Sequence, residues 1–236
     1  MWALRFWALS ALSWPEDRPI SLSIESQGTI FRIGRRPNPW RPPDWSLAGP
    51  DGTFGNRFDD PEGTFRVLYA SSQRLGCYLE TLARFRVDLT LYAELSEIEG
   101  EDDFTPLGHV PLAWARPRML GSAEHGGEYA DLYGSDWIGL LRRDLAADCL
   151  ALGIGELDAS VLQGSTARAL TQRAARLVFR NAFDGIYYRS KYGHDIQNWA
   201  LFEPFKLSPK HSKPINLADP ELLRALAIHH LEIGSR

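Results

Sequence analysis

Between Thr64 and Arg86 the hydrophobic pattern changes period, and that change limits the folds open to the chain. From Thr64 to Ala70 the side chains alternate: Phe65, Val67 and Tyr69 face one way, Arg66, Leu68 and Ala70 the other. Alternation predicts a strand. Ser71 and Ser72 follow as candidate helix caps. Leu75, Leu79, Leu82 and Phe85 then recur at helical spacing, which predicts a helix over Gln73–Arg86. A strand feeding a one-faced helix calls for a sheet with that helix packed on it.

The other signals fit the same plan. Thr29–Ile33 reads as a strand, and Gly34 ends it. Pro37, Pro39, Pro42 and Pro43 exclude helix or central strand over Arg35–Pro50, which reads as a loop. Val87–Leu95 reads as a strand, and Glu97–Gly134 shows no dominant period. Ser135 is the predicted cap of a helix carrying Trp137, Leu141, Leu145 and Cys149, closed by Gly153. A further helix is predicted over Ser165–Asn181, with Leu170, Ala174, Leu177 and Val178 inward. Asp184–Ser190 and Trp199–Phe202 read as strands, and Asp219-Pro220 opens a last helix. Lys206, Lys210 and Lys213 read as part of a solvated tail. Strands and helices mix without regular parallel βαβ units. The expected class is α+β, a small mixed or antiparallel sheet with helices packed on it. At 236 residues and 44% hydrophobic, the chain is long enough to bury a sizeable core.

Several functions are disfavoured. A net charge of −4 argues against a broad grip on nucleic acid, while a local basic cleft stays open. Two cysteines make no disulfide scaffold, and no CxxC supports zinc. The six histidines are scattered, so no metal is expected. Phosphate-loop, HExxH and GxSxG motifs are missing, and Gly153-Ile154-Gly155 follows a helix rather than a strand. Met1–Trp14 is apolar but interrupted by Arg5, and is shorter than the roughly 20 residues a membrane span needs. It lacks the flanks of a signal peptide, so a cytoplasmic protein with no membrane contact is expected.

One constellation remains. Arg57 comes from the turn-rich Gly55–Pro61 segment, Tyr69 from the end of a strand, and Glu80 from the second turn of the following helix. A guanidinium, a phenol and a carboxylate converge where loop, strand and helix meet. Gly76 lies four residues before Glu80 and leaves room for a ligand beside the carboxylate. Plainer readings stand beside these. Arg57 pairs with Asp59 or Asp60, Tyr69 packs in the core, and Glu80 is an ordinary exposed helix residue. Ser190 is a turn residue, and Asn198 bonds a backbone group. Arg32 is an odd core residue unless it is paired.

Five segments resemble the RES domain family: Phe31-Arg32-Ile33, Gly55-Asn56-Arg57-Phe58-Asp59, Leu68-Tyr69-Ala70-Ser71 with Leu79-Glu80-Thr81, Gly185–Ser190, and Asn198–Phe202. The likeness spans roughly residues 29–205. It implies an N-terminal extension over 1–28, a RES domain over 29–205 and a C-terminal tail with a helix over 206–236. The implied fold is an ADP-ribosyltransferase-like mixed sheet. The implied role is that of a toxin of RES/Xre toxin–antitoxin pairs. Such an enzyme consumes NAD as substrate and cleaves the nicotinamide–ribose bond by hydrolysis or phosphorolysis. A mono-ADP-ribosyltransferase acting on protein or nucleic acid, and a non-catalytic nucleotide- or partner-binding module, are the alternatives. The resemblance assigns Glu80 and Ser190 to catalysis, and Arg32, Arg57, Tyr69 and Asn198 to binding NAD. It implies an Xre-type antitoxin as partner, leaves room for a homodimer, and implies no direct contact with nucleic acid. Two positions depart from the family pattern. Asn56 replaces a glycine and is expected to keep a left-handed turn. Asp59 replaces an asparagine and places a negative charge near an expected pyrophosphate.

Overall fold

The computed structural model describes residues 22–90, 107–164 and 168–234. Strands β1 (Ser23–Arg35) and β4 (Arg118–Asp131) pair antiparallel along their length, from Ser23↔Ala130 to Arg35↔Arg118. Strand β2 (Val67–Ser71) lies antiparallel to β6 (Gly193–Phe202), with Ser71 opposite Asn198. Strand β5 (Gly185–Ser190) runs antiparallel to β6 and parallel to β4. A contact between β1 and β2 at Phe31↔Ser71 closes these five strands into a ring. Strand β7 (Leu207–Pro214) adds to β4, and β3 (Gly108–Pro111) pairs in parallel with β8 (Leu231–Gly234) in a separate small sheet. The class is α+β with a mixed sheet.

Helices cover the sheet on two sides. On one side α2 (Ser135–Asp144), α3 (Ala146–Ala151), α4 (Ala159–Gln163) and α5 (Arg168–Arg180) bury Trp137, Leu141, Leu145, Cys149, Leu162, Leu170, Ala174 and Val178 with Phe65 and Val67. On the other side α1 (Arg74–Leu82) packs against α6 (Pro220–Ile228) through Leu75, Leu79, Leu82, Leu222 and Leu226. Asp219 caps α6 at the Glu221 N–H, as its sequence predicts, and also accepts from Arg74 and the Tyr78 hydroxyl. A third cluster holds Leu68 and Ala70, so both faces of β2 are buried. Each fully buried Leu stabilises by about 1.5–3 kcal/mol relative to leaving it exposed.

Several expectations need correction. Strand β1 begins at Ser23, not Thr29. The cap position of α1 is Gln73 with no side-chain bond, and the helix tightens to a 3-10 turn over Ala83–Phe85. Residues 87–90 form no strand, and 91–95 lie outside the described residues. The predicted helix over 135–153 breaks at Leu145, and Gly134 rather than Ser135 is its cap. Of the helix predicted over Ser165–Asn181, residues 165–167 lie outside the described residues, as does Met1–Trp14. Residues 207–214 form an edge strand, not a tail. All but Leu207 are exposed, so this strand carries no alternating signal. No described helix is long and apolar enough to cross a membrane.

Candidate active site

Helix α1 sits hard against the ends of β2 and β6 because residue 76 has no side chain. A Cβ there would lie 2.2 Å from Ser71 Oγ and 2.6 Å from Ile196 Cγ2. The glycine therefore serves helix–sheet packing, and it also lies on the cleft wall with Glu80. That close approach carries Glu80 to the neighbouring strands. Ser190 Oγ donates to Glu80 Oε1 at 2.7 Å, and Asn198 Nδ2 donates to the same oxygen at 3.1 Å. Ser190 also accepts the Tyr192 N–H at 3.1 Å. Both supports are buried, whereas Glu80 is exposed along the cleft. Among the described residues no protein donor reaches Glu80 Oε2. Asn198 Oδ1 is buried without a partner.

Gly55 supplies the left-handed residue of the preceding loop at φ +76°, and Asn56 does not. Asn56 instead donates its amide to the Asp59 carboxylate. Asp59 also accepts the N–H groups of Phe54 at 3.0 Å and Asn56 at 2.7 Å. The two departures from the family pattern thus touch each other, and Asp59 holds the loop rather than Arg57. Burial raises the Asp59 pKa against these hydrogen bonds. Asp60 is likewise occupied, by Arg176 and Thr64.

Arg57 ion-pairs with no carboxylate among the described residues. It donates to the Leu162 carbonyl, and its guanidinium lies 5.4 Å from the Phe58 ring and 5.9 Å from the Tyr188 ring. The Tyr69 hydroxyl accepts the Phe58 N–H at 2.9 Å, which pins the loop to β2. Burial pushes that hydroxyl above its ordinary pKa. Arg32 donates to the carbonyls of Pro39 and Tyr69, both at 2.8 Å. Its pKa falls to about 10 because burial penalises the cation.

These groups line one cleft of about 670 Å³, within the range of small-molecule sites. Arg32, Arg57, Tyr69, Glu80 and Asn198 lie on its wall; Ser190 stands behind Glu80. Among the described residues six cations and one acid, Glu80, line the cleft, although the whole chain is acidic. Arg84, Arg86, Arg168, Lys191 and Tyr188 were not foreseen as site residues. Adjacency to Glu80 and Ser190 was a usable signal for Arg84 and Lys191, but nothing local marks Arg168. Cys77 is buried in the core cluster beneath the cleft wall, and burial raises its thiol to about 12. His194 is exposed and not on the wall.

A family model described as the RES domain matches residues 29–219. Among solved structures, a chain from the crystal structure of the M. tuberculosis MbcT-MbcA toxin-antitoxin complex is similar at a TM-score of 0.49 and 12% identity, covering 82% of this chain and 88% of that one. No curated protein matches the sequence.

Proposed function

The chain belongs to the RES domain family, and from that membership we propose that it is a toxin-like enzyme that consumes NAD by cleaving the nicotinamide–ribose bond. The observation that carries this reading is the setting of Glu80. Among the described residues it is the one acid on a wall that carries six cations, held through one carboxylate oxygen with the other left to a ligand.

The chemistry asks for that arrangement. The nicotinamide of NAD is cationic and leaves as a neutral molecule, taking the electron pair of the bond to C1′. No proton donor to the leaving group is needed. Positive charge develops on the ribose, as in glycoside cleavage, and a fixed carboxylate stabilises it. Water or phosphate then bonds to C1′ through an oxygen lone pair, and water sheds a proton to solvent. Arg57 suits the pyrophosphate, since guanidinium binds phosphate oxygens as a fork, while Arg32, held by the Pro39 and Tyr69 carbonyls, adds its positive charge to the same wall. Tyr69 forms part of the wall against which nicotinamide or ribose packs. Ser190 acts through Glu80 and is a positioning residue. An enzyme that drains NAD from its own cell needs a silencer, so an Xre-type antitoxin is the expected partner.

Incubation of the purified protein with NAD, with and without phosphate or cell lysate, tests the reading. Free ADP-ribose or its phosphorylated form supports it. Label transferred to a macromolecule favours ADP-ribosyl transfer, and unchanged NAD with no toxicity on expression leaves a binding module.

A further inference from the structure

Arg66, Arg74, Arg173 and Arg176 each reach a carboxylate. Another group of cations does not. At one end of the β1–β4 ribbon Arg35 and Arg118 stand directly opposite each other in register. Like charges facing across a strand pair destabilise it, a cost that a bound anion removes. Arg84, on the 3-10 turn that follows α1, adds a third charge beside them. Burial holds Arg118 below its ordinary pKa, and the charges of Arg84 and Arg35 lower it further. Arg84 also lines the cleft with Arg86 and Lys191, so it joins the ribbon end to the cleft wall. Arg35, Arg84, Arg86 and Lys191 are exposed and Arg118 is half-buried. None of the five ion-pairs with a carboxylate among the described residues.

Three of these guanidiniums rest on aromatic rings. Arg118 lies 5.3 Å from the Trp114 ring and donates to the Trp114 carbonyl. Arg84 lies 4.8 Å from the Phe85 ring, and Arg86 lies 5.3 Å from the Tyr192 ring. Such stacking settles a long side chain before a ligand arrives, which lowers the entropy lost on binding. Each ring also spends a face on a guanidinium rather than on a nucleobase.

A band of settled, unpaired arginine forks suits a chain that carries an anion at every repeat, and guanidinium grips phosphate oxygens in pairs. We infer that this band is a docking surface for the phosphate backbone of a nucleic acid, bound without reading its bases. The family resemblance implies no such contact, but a net charge of −4 leaves room for a local basic patch. The inference stands apart from NAD cleavage, since Arg35 and Arg118 lie off the cleft wall.

Fluorescence anisotropy of a labelled DNA duplex of arbitrary sequence, titrated with the full chain at rising salt, tests it. Wild type should bind at low salt, with log K falling against log salt at a slope of about −3 to −4, as for about four phosphates. Arg35→Gln combined with Arg118→Gln removes two contacts, so the slope should shrink by about 2 and affinity fall about tenfold or more. Arg142→Gln with Arg143→Gln takes the same charge from α2, on the other side of the sheet, and should leave binding unchanged. NAD turnover by the Arg35→Gln, Arg118→Gln protein should match wild type, which shows that its fold is intact. If Arg118→Gln fails to fold, the exposed Arg35→Gln alone decides, with a slope smaller by about 1. Wild type that leaves the duplex unbound at low salt, or a double variant that binds as wild type does, overturns the inference. Displacement of the duplex by polyglutamate as effectively, charge for charge, as by unlabelled DNA also overturns it and gives the surface to an acidic protein segment. Absence of NAD turnover in wild type would overturn the functional reading alone.

Discussion

Ser190 and Glu80 lie 110 positions apart in the chain, yet Ser190 Oγ donates to Glu80 Oε1 at 2.7 Å, on the oxygen that Asn198 also holds. Glu80→Gln keeps the shape of the side chain and removes its charge. Its expected effect is a loss on the order of 10²-fold in NAD turnover, by analogy with losing one preorganised electrostatic contact. Nicotinamide release at the wild-type rate by a folded Glu80→Gln protein would sink the role of Glu80. Ser190→Ala removes one of two supports, so a smaller loss of about tenfold in kcat is expected, with KM nearly unchanged.

Arg57 and Arg32 should behave differently. Arg57 donates to the Leu162 carbonyl, lies over the Phe58 and Tyr188 rings and lines the cleft with no carboxylate partner among the described residues. Arg57→Ala should raise KM for NAD roughly tenfold with little change in melting temperature. Arg32 ties Pro39 to Tyr69, so Arg32→Ala leaves two carbonyls without a donor. A melting curve should show Arg32→Ala clearly less stable than Arg57→Ala, by about 1–3 kcal/mol.

Gly76→Ala runs against helix propensity. Alanine favours a helix by about 1 kcal/mol over glycine, but here the new methyl meets Ser71 Oγ and Ile196 Cγ2 inside contact distance. The expected net result is destabilisation of about 1–3 kcal/mol, the usual cost of overpacking. Denaturant unfolding measures it, and a neutral or stabilised variant would mean that α1 does not sit this close to β2.

Asn56 and Asp59 should be coupled. Each single change, Asn56→Gly or Asp59→Asn, breaks the amide–carboxylate contact that holds the Arg57 loop. The double variant should cost less than the sum of the two. A double-mutant cycle on KM for NAD reads the coupling, and additivity would count against it.

Stability should fall on the acid side of neutrality through His229 and His125. Burial lowers both below the ordinary value of 6.5; the carbonyls of Leu79 and Gly28, which the two rings hydrogen-bond, oppose the shift. A histidine whose folded pKa is depressed binds its proton more readily when unfolded. Its contribution is therefore complete above 6.5 and is lost as pH falls from there toward the folded value. His229→Gln, which retains a donor for Leu79, should flatten the fall in melting temperature between about pH 7.5 and about pH 5.5. An unchanged slope would remove His229 from the account.

What could be read from the chain alone is local. The alternation at Phe65–Ala70, the helical spacing of Leu75, Leu79 and Leu82, and the Asp219-Pro220 start each depend on neighbours a few residues away. Backbone periodicity and capping chemistry act over that range. The residues of the candidate site were legible through five short segments in order, but their geometry was not. Whether Glu80 meets Ser190 or Asn198 depends on how closely α1 approaches β6, and a single missing methyl at Gly76 sets that. Whether Asp59 faces Arg57 or Asn56 depends on the course of a loop pinned by Tyr69. Edge strand β7 was illegible because exposed polar residues show no buried face, and its pairing with β4 is a long-range choice. The collection of six cations around one carboxylate among the described residues, in a chain that is acidic as a whole, likewise exists only once distant segments have been folded together.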